Sequence, residues 1–171
     1  MRVTPQQTAE YFQRGFMAAD GLWFMKTEEV HGFDEALELD RRVWEVVPKI
    51  QARLVKEWCG KGGGTDALAE CLTAKYGVEG HVAIVTETEA GVEVAVRVCP
   101  WYEKLVKSGR TALAARIGPV ICPTELAAWA REFGLSGEVR MESSICEGTG
   151  GCKFVIAGDR ASNPTAPRSQ P

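Results

Sequence analysis

The sequence has only two histidines, no run of lysines and arginines, and a net charge of only -3. Because clustered cations supply most of the affinity for nucleic-acid backbones, we predict no direct nucleic-acid partner. Charged side chains interrupt the apolar stretches of the first thirty residues before they reach the length of a signal peptide or a membrane span. We therefore expect a cytoplasmic protein that has no membrane partner.

Several catalytic fingerprints are also missing. The chain has no G-x-S-x-G elbow, no H-E-x-x-H pair and no P-loop, and the glycine cluster at residues 60–64 does not follow a predicted strand. These absences exclude the enzyme classes that depend on those motifs, including dinucleotide-binding reductases. No C-x-x-C knuckle or bacterial ferredoxin run is present either, so spacing alone does not identify a metal.

The first half of the chain is predicted to be helical. Apolar residues recur at helical spacing from Thr4 to about Val30, and again from Phe33 to Trp58. Pro48 lies inside the second of these segments and removes one backbone hydrogen bond, so we expect a kink there. The proportions of 45% hydrophobic and 25% charged residues are those of a globular domain.

The second half of the chain changes to an alternation of apolar and polar residues. This pattern predicts one β-hairpin from strands near 82–86 and 92–98, and another from strands near 137–145 and 153–157. Helical spacing returns between the hairpins, with a predicted interruption at Gly118-Pro119. The predicted fold is α+β, an antiparallel sheet of two hairpins (about four strands) packed against a helical N-terminal half.

The end of the chain differs in composition. Residues 159–171 contain three prolines and no large apolar side chain, so they cannot offset the entropy cost of becoming ordered. We predict a single metal-binding domain over residues 1–158, followed by a flexible tail.

Four of the six cysteines occupy positions that suit a metal centre. Cys99 and Cys122 are each followed by proline and a helical segment, and the positive end of a helix stabilises a thiolate. Cys146 and Cys152 flank the last turn and would face each other across its mouth. Four thiolates suit zinc, and they could also hold an iron–sulfur cluster. The alternative is four small buried residues, with a disulfide between Cys146 and Cys152.

Three stretches of the second half carry a resemblance to known families. They read CPW, ICPTELAAWAREFG and ESSICEGTGGCKFVI. Together they resemble the end of vinyl-reductase-like small-molecule-binding domains, and they are similar to the family of aminothiazoline-carboxylate hydrolases. The resemblance covers about a third of the chain, and it implies a small-molecule-binding fold.

The resemblance also implies a set of metal ligands. In related sensor domains this ending holds a structural zinc ion, which implies the same role for Cys122, Cys146 and Cys152. A glutamate supplies the remaining ligand in those domains, and Glu142 is its nearest counterpart, although the spacing differs. Cys99 competes with Glu142 for this role, and its position before a helix makes it the preferred fourth ligand.

Two carboxylates in the helical half suggest a ligand pocket. Asp20 and Asp40 each project into the apolar side of a predicted helix, one turn before Trp23 and Trp44 respectively. With Trp101, these residues could line a pocket between the helices and the sheet. In the alternative interpretation each carboxylate is paired with a nearby arginine, the candidates being Arg14, Arg41 and Arg97.

Our first functional hypothesis is a sensor-like small-molecule-binding domain with a structural zinc site. The second is a hydrolase of a small cyclic or amide substrate, in which Glu142 or Asp40 is the base and a metal or a cysteine gives the activation. The third is an iron–sulfur redox protein. The aromatic surface of the helical half could also pair with a second copy of the chain.

Overall fold

The computed structural model describes residues 2–158, so the predicted flexible tail lies outside the described residues. The helices are α1 (Pro5–His31), α2 (Phe33–Trp44), α3 (Val47–Cys59), α4 (Thr65–Glu79), α5 (Pro100–Lys107) and α6 (Thr111–Glu132). The strands are β1 (Val82–Thr88), β2 (Gly91–Val98), β3 (Val139–Ser143) and β4 (Cys152–Ala157), with a short 3-10 helix at Ile145–Glu147. The predicted α+β class is confirmed.

The four strands form one antiparallel sheet in the order β1-β2-β4-β3. Both predicted hairpins are present, and β2 pairs with β4 to join them. Val92, Val94 and Val96 alternate along β2 and are buried, as the period of two predicts. Their face packs against α4 and the second half of α6, where Trp129 is completely buried. This cluster is the main hydrophobic core.

The segment predicted as one kinked helix is two helices. α2 ends at Trp44, and α3 begins at Val47 with Pro48 in its first turn. A proline in the first turn costs nothing in hydrogen bonding, because that N–H has no partner within the helix anyway. The prediction of a kink inside one continuous helix was therefore wrong, and the chain turns between the two helices instead.

The predicted interruption at Gly118-Pro119 is absent. α6 runs without a break from Thr111 to Glu132 and contains both Pro119 and Pro123. An internal proline costs a helix about 3 kcal/mol, so the surrounding packing must offset this cost. Ile117 and Ile121 are buried against α1 and α2, and the second half of the helix is buried against the sheet. Tertiary packing thus overrides the local signal.

The longest helix, α1, begins with a capping box. The Gln7 N–H donates to the Thr4 hydroxyl at 3.1 Å, and the Thr4 N–H donates to the Gln7 side chain at 2.9 Å. Beyond that start the helix is buried at few positions, of which Phe24 is the principal one. Among the described residues, no helix is both long and apolar enough to cross a membrane.

Candidate functional site

A cavity of about 720 Å³ lies between α1, α2, α5 and α6. Most of its wall is apolar, and aromatic rings come from three of these helices. The aromatic lining residues are Phe16, Phe24, Trp44 and Trp101. On α1 the lining positions recur every three or four residues, which shows that one face of this helix forms a wall of the cavity.

Asp20 and Asp40 both line this cavity, as the sequence predicts. Burial raises the pKa of Asp40 to about 7, and the charge of Asp20 adds to that shift. Burial likewise raises the pKa of Asp20. The Trp44 indole, which can donate its N–H, acts in the opposite direction on both carboxyl groups. The two side chains therefore form an acidic pair that resists full ionisation near neutral pH.

The alternative interpretation, in which an arginine pairs with each of these carboxylates, does not agree with the ion pairs of the described residues. Arg14 pairs with Glu10. Arg41 pairs with Glu38 and Glu45. Within residues 2–158, neither Asp20 nor Asp40 forms an ion pair with a basic side chain. Both carboxyl groups consequently face the cavity without a counter-charge.

The tryptophans predicted for the pocket separate into two groups. Trp44 and Trp101 line the cavity together with the acidic pair. Trp23 does not, because its side chain is 73% exposed on the outer side of α1. The sequence pattern placed Trp23 one turn from Asp20, but the lining residues of that turn are Gly21, Phe24 and Met25, so Trp23 falls outside the cavity wall.

A second polar group lies at the end of the cavity nearest the sheet. Lys75 is only 3% exposed, and its ammonium group lies 2.6 Å from Glu79 and 2.9 Å from Glu125. Burial opposes its charge, but the two carboxylates raise the pKa of Lys75 above its ordinary value. His81 lies beside Glu79, and burial lowers its pKa to about 4, so its imidazole is neutral at physiological pH.

Sequence reasoning missed the Lys75 and Glu125 ion pair. The signal was available, because Lys75 stands between the apolar residues Leu72 and Tyr76, and Glu125 stands one turn from Trp129. A charged residue on the apolar face of a helix is costly unless it is paired, so it marks a candidate site. This rule identifies Asp20 and Asp40, and it applies equally to these two residues.

The four candidate cysteines come from different elements. Cys99 is the N-cap of α5, with Pro100 at the start of the helix, as predicted. Cys122 lies in the middle of α6 and not at a helix start, because this helix continues through both of its prolines. Both line the cavity. The prediction of a cap position was therefore right for Cys99 and wrong for Cys122.

The other two cysteines belong to the last turn. Cys152 begins β4, and its sulfur accepts the Ile145 N–H at 3.3 Å. Cys146 lies in the 3-10 helix, and its sulfur would be 3.1 Å from a Cβ atom placed on Gly118. A glycine at position 118 of α6 thus leaves room for the Cys146 side chain. This contact brings the turn against the helix that carries Cys122.

Burial makes all four thiols harder to ionise than a free cysteine. Burial raises the pKa of Cys122 well above its ordinary value, and nearby charge on Cys99, Cys146 or Cys152 would raise it further. Burial also raises the pKa of the other three thiols, to about 11 for Cys146. The expectation of easily ionised thiols is therefore wrong for this structure, because desolvation outweighs the helix N–H groups at Cys99.

The four thiols do not form a metal site in the described part of the chain. Within residues 2–158, no group of three or more His, Cys, Asp or Glu side chains has the arrangement needed to hold an ion. Glu142 lies on β3, where its carboxylate pairs with Arg140 at 2.6 Å and with Lys153 at 3.0 Å. The hydrogen bond from Lys153 lowers the pKa of Glu142.

Comparison with known proteins gives a family without an assigned function. Residues 7–100 match the model of a family described as "Family of unknown function (DUF6125)", which is more than half of the 171 residues. The match includes Asp20, Asp40 and Cys99, whereas Cys122, Cys146 and Cys152 lie beyond it. No curated protein and no solved structure matches the chain.

Proposed function

The chain belongs to the DUF6125 family, whose function is unknown, and we propose that it binds a small, largely apolar molecule between α1, α2, α5 and α6. The observation that supports this proposal most strongly is the cavity of about 720 Å³. Sites for small molecules have volumes of roughly 300–1,000 Å³ and combine an apolar wall with few polar groups. A sensor-like domain of the kind that the sequence resemblance implies would have this property.

Binding fits the cavity wall better than hydrolysis. A cysteine nucleophile reacts as its thiolate, and burial raises the pKa of both thiols that line the cavity, Cys99 and Cys122. Asp40, with a pKa of about 7, is the better candidate for a general base, since ion pairs lower the pKa of Glu142. The hydrolase alternative therefore has a candidate base, but neither thiol that lines the cavity is activated as a nucleophile. Hydrolysis of a small cyclic amide by the purified protein would favour that alternative.

We also propose that Cys99, Cys122, Cys146 and Cys152 hold one structural zinc ion beside the cavity. The support is the contact between Cys146 and α6, together with the position of Cys99 and Cys122 in the wall of one cavity. Zinc replaces the thiol protons, so it would offset the raised pKa values. The sulfurs must move closer together to bind the ion. The resulting centre would join the last turn to α6 and to the start of α5.

A variant that fills the cavity tests the binding proposal. Gly21 lies on the cavity face of α1, and an added Cβ atom there meets no atom within 4 Å. We expect Gly21→Phe to weaken binding of the neutral dye N-phenyl-1-naphthylamine at least about tenfold, because the ring occupies the dye's volume. Fluorescence titration at one dye per chain measures this change.

The matched control is Gly15→Phe. Gly15 lies in the same helix, an added Cβ atom there also meets nothing within 4 Å, and this residue does not line the cavity. We expect its dye affinity to equal that of the unaltered protein. If the two variants bind the dye equally well, the dye occupies exposed apolar surface and the proposed cavity function is wrong.

A further inference from the structure

We infer that the molecule bound in this cavity is an amphiphilic cation, an apolar body with a protonated amine, whose ammonium group lies against Asp20 and Asp40. This inference rests on the proposed function and adds the chemical class of the ligand. It follows from the distribution of charge in the cavity wall, from the apolar surroundings of the two carboxyl groups, and from the aromatic rings beside them.

The inner wall of the cavity has more acidic groups than basic ones. Four carboxyl groups line it, from Asp20, Asp40, Glu79 and Glu125. Lys75 is the buried cation behind them, and it is shared by Glu79 and Glu125. The acidic pair on α1 and α2 therefore has no positive partner among the described residues. A cationic ligand would supply one.

Because the acidic pair lies in apolar surroundings, its lack of a positive partner among the described residues is costly. Burial raises the pKa of both carboxyl groups, so ionising them in the empty cavity is unfavourable. An ammonium group between them would stabilise the ionised forms through hydrogen bonds to charged acceptors. The rings of Phe16, Phe24 and Trp44 line the same cavity, and an aromatic face that meets a bound cation attracts it further.

Basic residues also line the cavity, but they lie at its rim. Lys104 and Lys107 are exposed on α5, and Arg110 is paired with Glu28 at 2.6 Å. Exposed charges are screened by water and salt, so they contribute less to binding than charges in the apolar interior. The rim would favour an anionic amphiphile, and the interior favours a cationic one. A comparison of ligands with the same apolar body separates these cases.

The experiment compares decylammonium, decanol and decanoate, each displacing N-phenyl-1-naphthylamine from the full chain at pH 8. We expect decylammonium to bind at least about tenfold more tightly than decanol, and decanoate to bind most weakly. Equal affinity for the ammonium and the alcohol, or tightest binding of decanoate, overturns the inference but leaves the cavity function standing. If none of the three displaces the dye, the proposed function fails as well.

The variant Asp40→Asn tests whether the acidic pair causes the tighter binding of decylammonium. Asp40→Asn keeps the shape of the side chain and removes its charge, so decylammonium should lose about tenfold in affinity while decanol keeps its own. Retained decanol binding shows that the variant is folded. Asp34→Asn, which alters an exposed carboxyl group outside the cavity lining, should leave both affinities unchanged. An Asp40→Asn protein that still prefers the ammonium tenfold contradicts the inference.

The preference should also depend on pH. The pKa of Asp40 is about 7, so this carboxyl group becomes neutral as the pH falls, and decylammonium should bind several-fold more weakly at about pH 5.5 than at about pH 8. Burial also raises the pKa of Asp20 and of Glu125 in the same wall, so these carboxyl groups change in the same direction as Asp40, whereas the pKa of His81 is lowered to about 4. Decanol affinity should stay constant. A pH-independent preference would show that Asp40 does not hold the cation.

Discussion

Replacing Lys75 with methionine should lower the free energy of unfolding by about 3–5 kcal/mol. The Lys75 side chain is 3% exposed and holds the carboxylates of Glu79 and Glu125 at 2.6 and 2.9 Å. Without the ammonium group, both carboxylates keep their desolvation cost and lose the charge that offsets it. Urea unfolding followed by circular dichroism measures the difference from the unaltered protein.

Two further variants make this result specific to the buried network. Arg53→Met removes the solvent-exposed partner of Glu132, and it should cost much less stability than Lys75→Met does. Lys75→Met combined with Glu125→Gln removes a charge of each sign, and it should recover part of the lost stability. If Lys75→Met is as stable as Arg53→Met, the buried ion pair does not hold this part of the fold together.

The stability of the Lys75→Met protein should also change with pH in a definite direction. Burial raises the pKa of Glu125 even with Lys75 beside it, and removing the cation strengthens this effect. A carboxyl group whose pKa is higher in the folded state binds its proton more tightly there. The variant should therefore lose least stability at acidic pH, and the loss should grow as the pH rises through the raised pKa. A loss that shrinks with rising pH contradicts this assignment.

Replacing Cys152 with serine should remove the proposed zinc ion and lower the melting temperature by about 10 °C. The reason is that the free energy of binding a structural metal is part of the free energy of folding. Elemental analysis of anaerobically purified protein should give one zinc ion per chain before the substitution and none after it. Differential scanning calorimetry measures the melting temperature.

Cys59→Ser is the matched control for the zinc prediction. Cys59 ends α3, is also partly buried, and lies beside Cys71, outside the group of four thiols. This variant should keep its zinc ion. A brown protein with iron and acid-labile sulfide would replace the zinc proposal with an iron–sulfur one. Protein that contains no metal and melts at the same temperature with and without chelator would contradict both.

Local patterns were sufficient for most of the secondary structure. Alternation predicted both hairpins, and the face with Val92, Val94 and Val96 is the one that is buried. Prolines caused the two errors, at Pro48 and at Pro119. In the first case the helix ended where a kink was expected, and in the second it continued where an end was expected. A proline's own cost is local, but the packing that offsets it is not visible in the sequence.

Residue patterns predicted the acidic pair of the cavity, but they did not predict which tryptophans line it. Asp20 and Asp40 stand out because each carboxylate falls on the apolar face of its helix, and both line the cavity. The same pattern could not show that Trp23 points outward while Trp44 points inward. That distinction depends on which helix packs against which face.

Periodicity within single segments is enough to predict the fold class, the two hairpins and the positions of the acidic pair. Packing between elements places Lys75 against Glu79 and Glu125, sets Cys146 against α6 and leaves a cavity between the helices. These features bring together residues far apart in the chain. Their geometry depends on packing between whole elements, which no local pattern encodes.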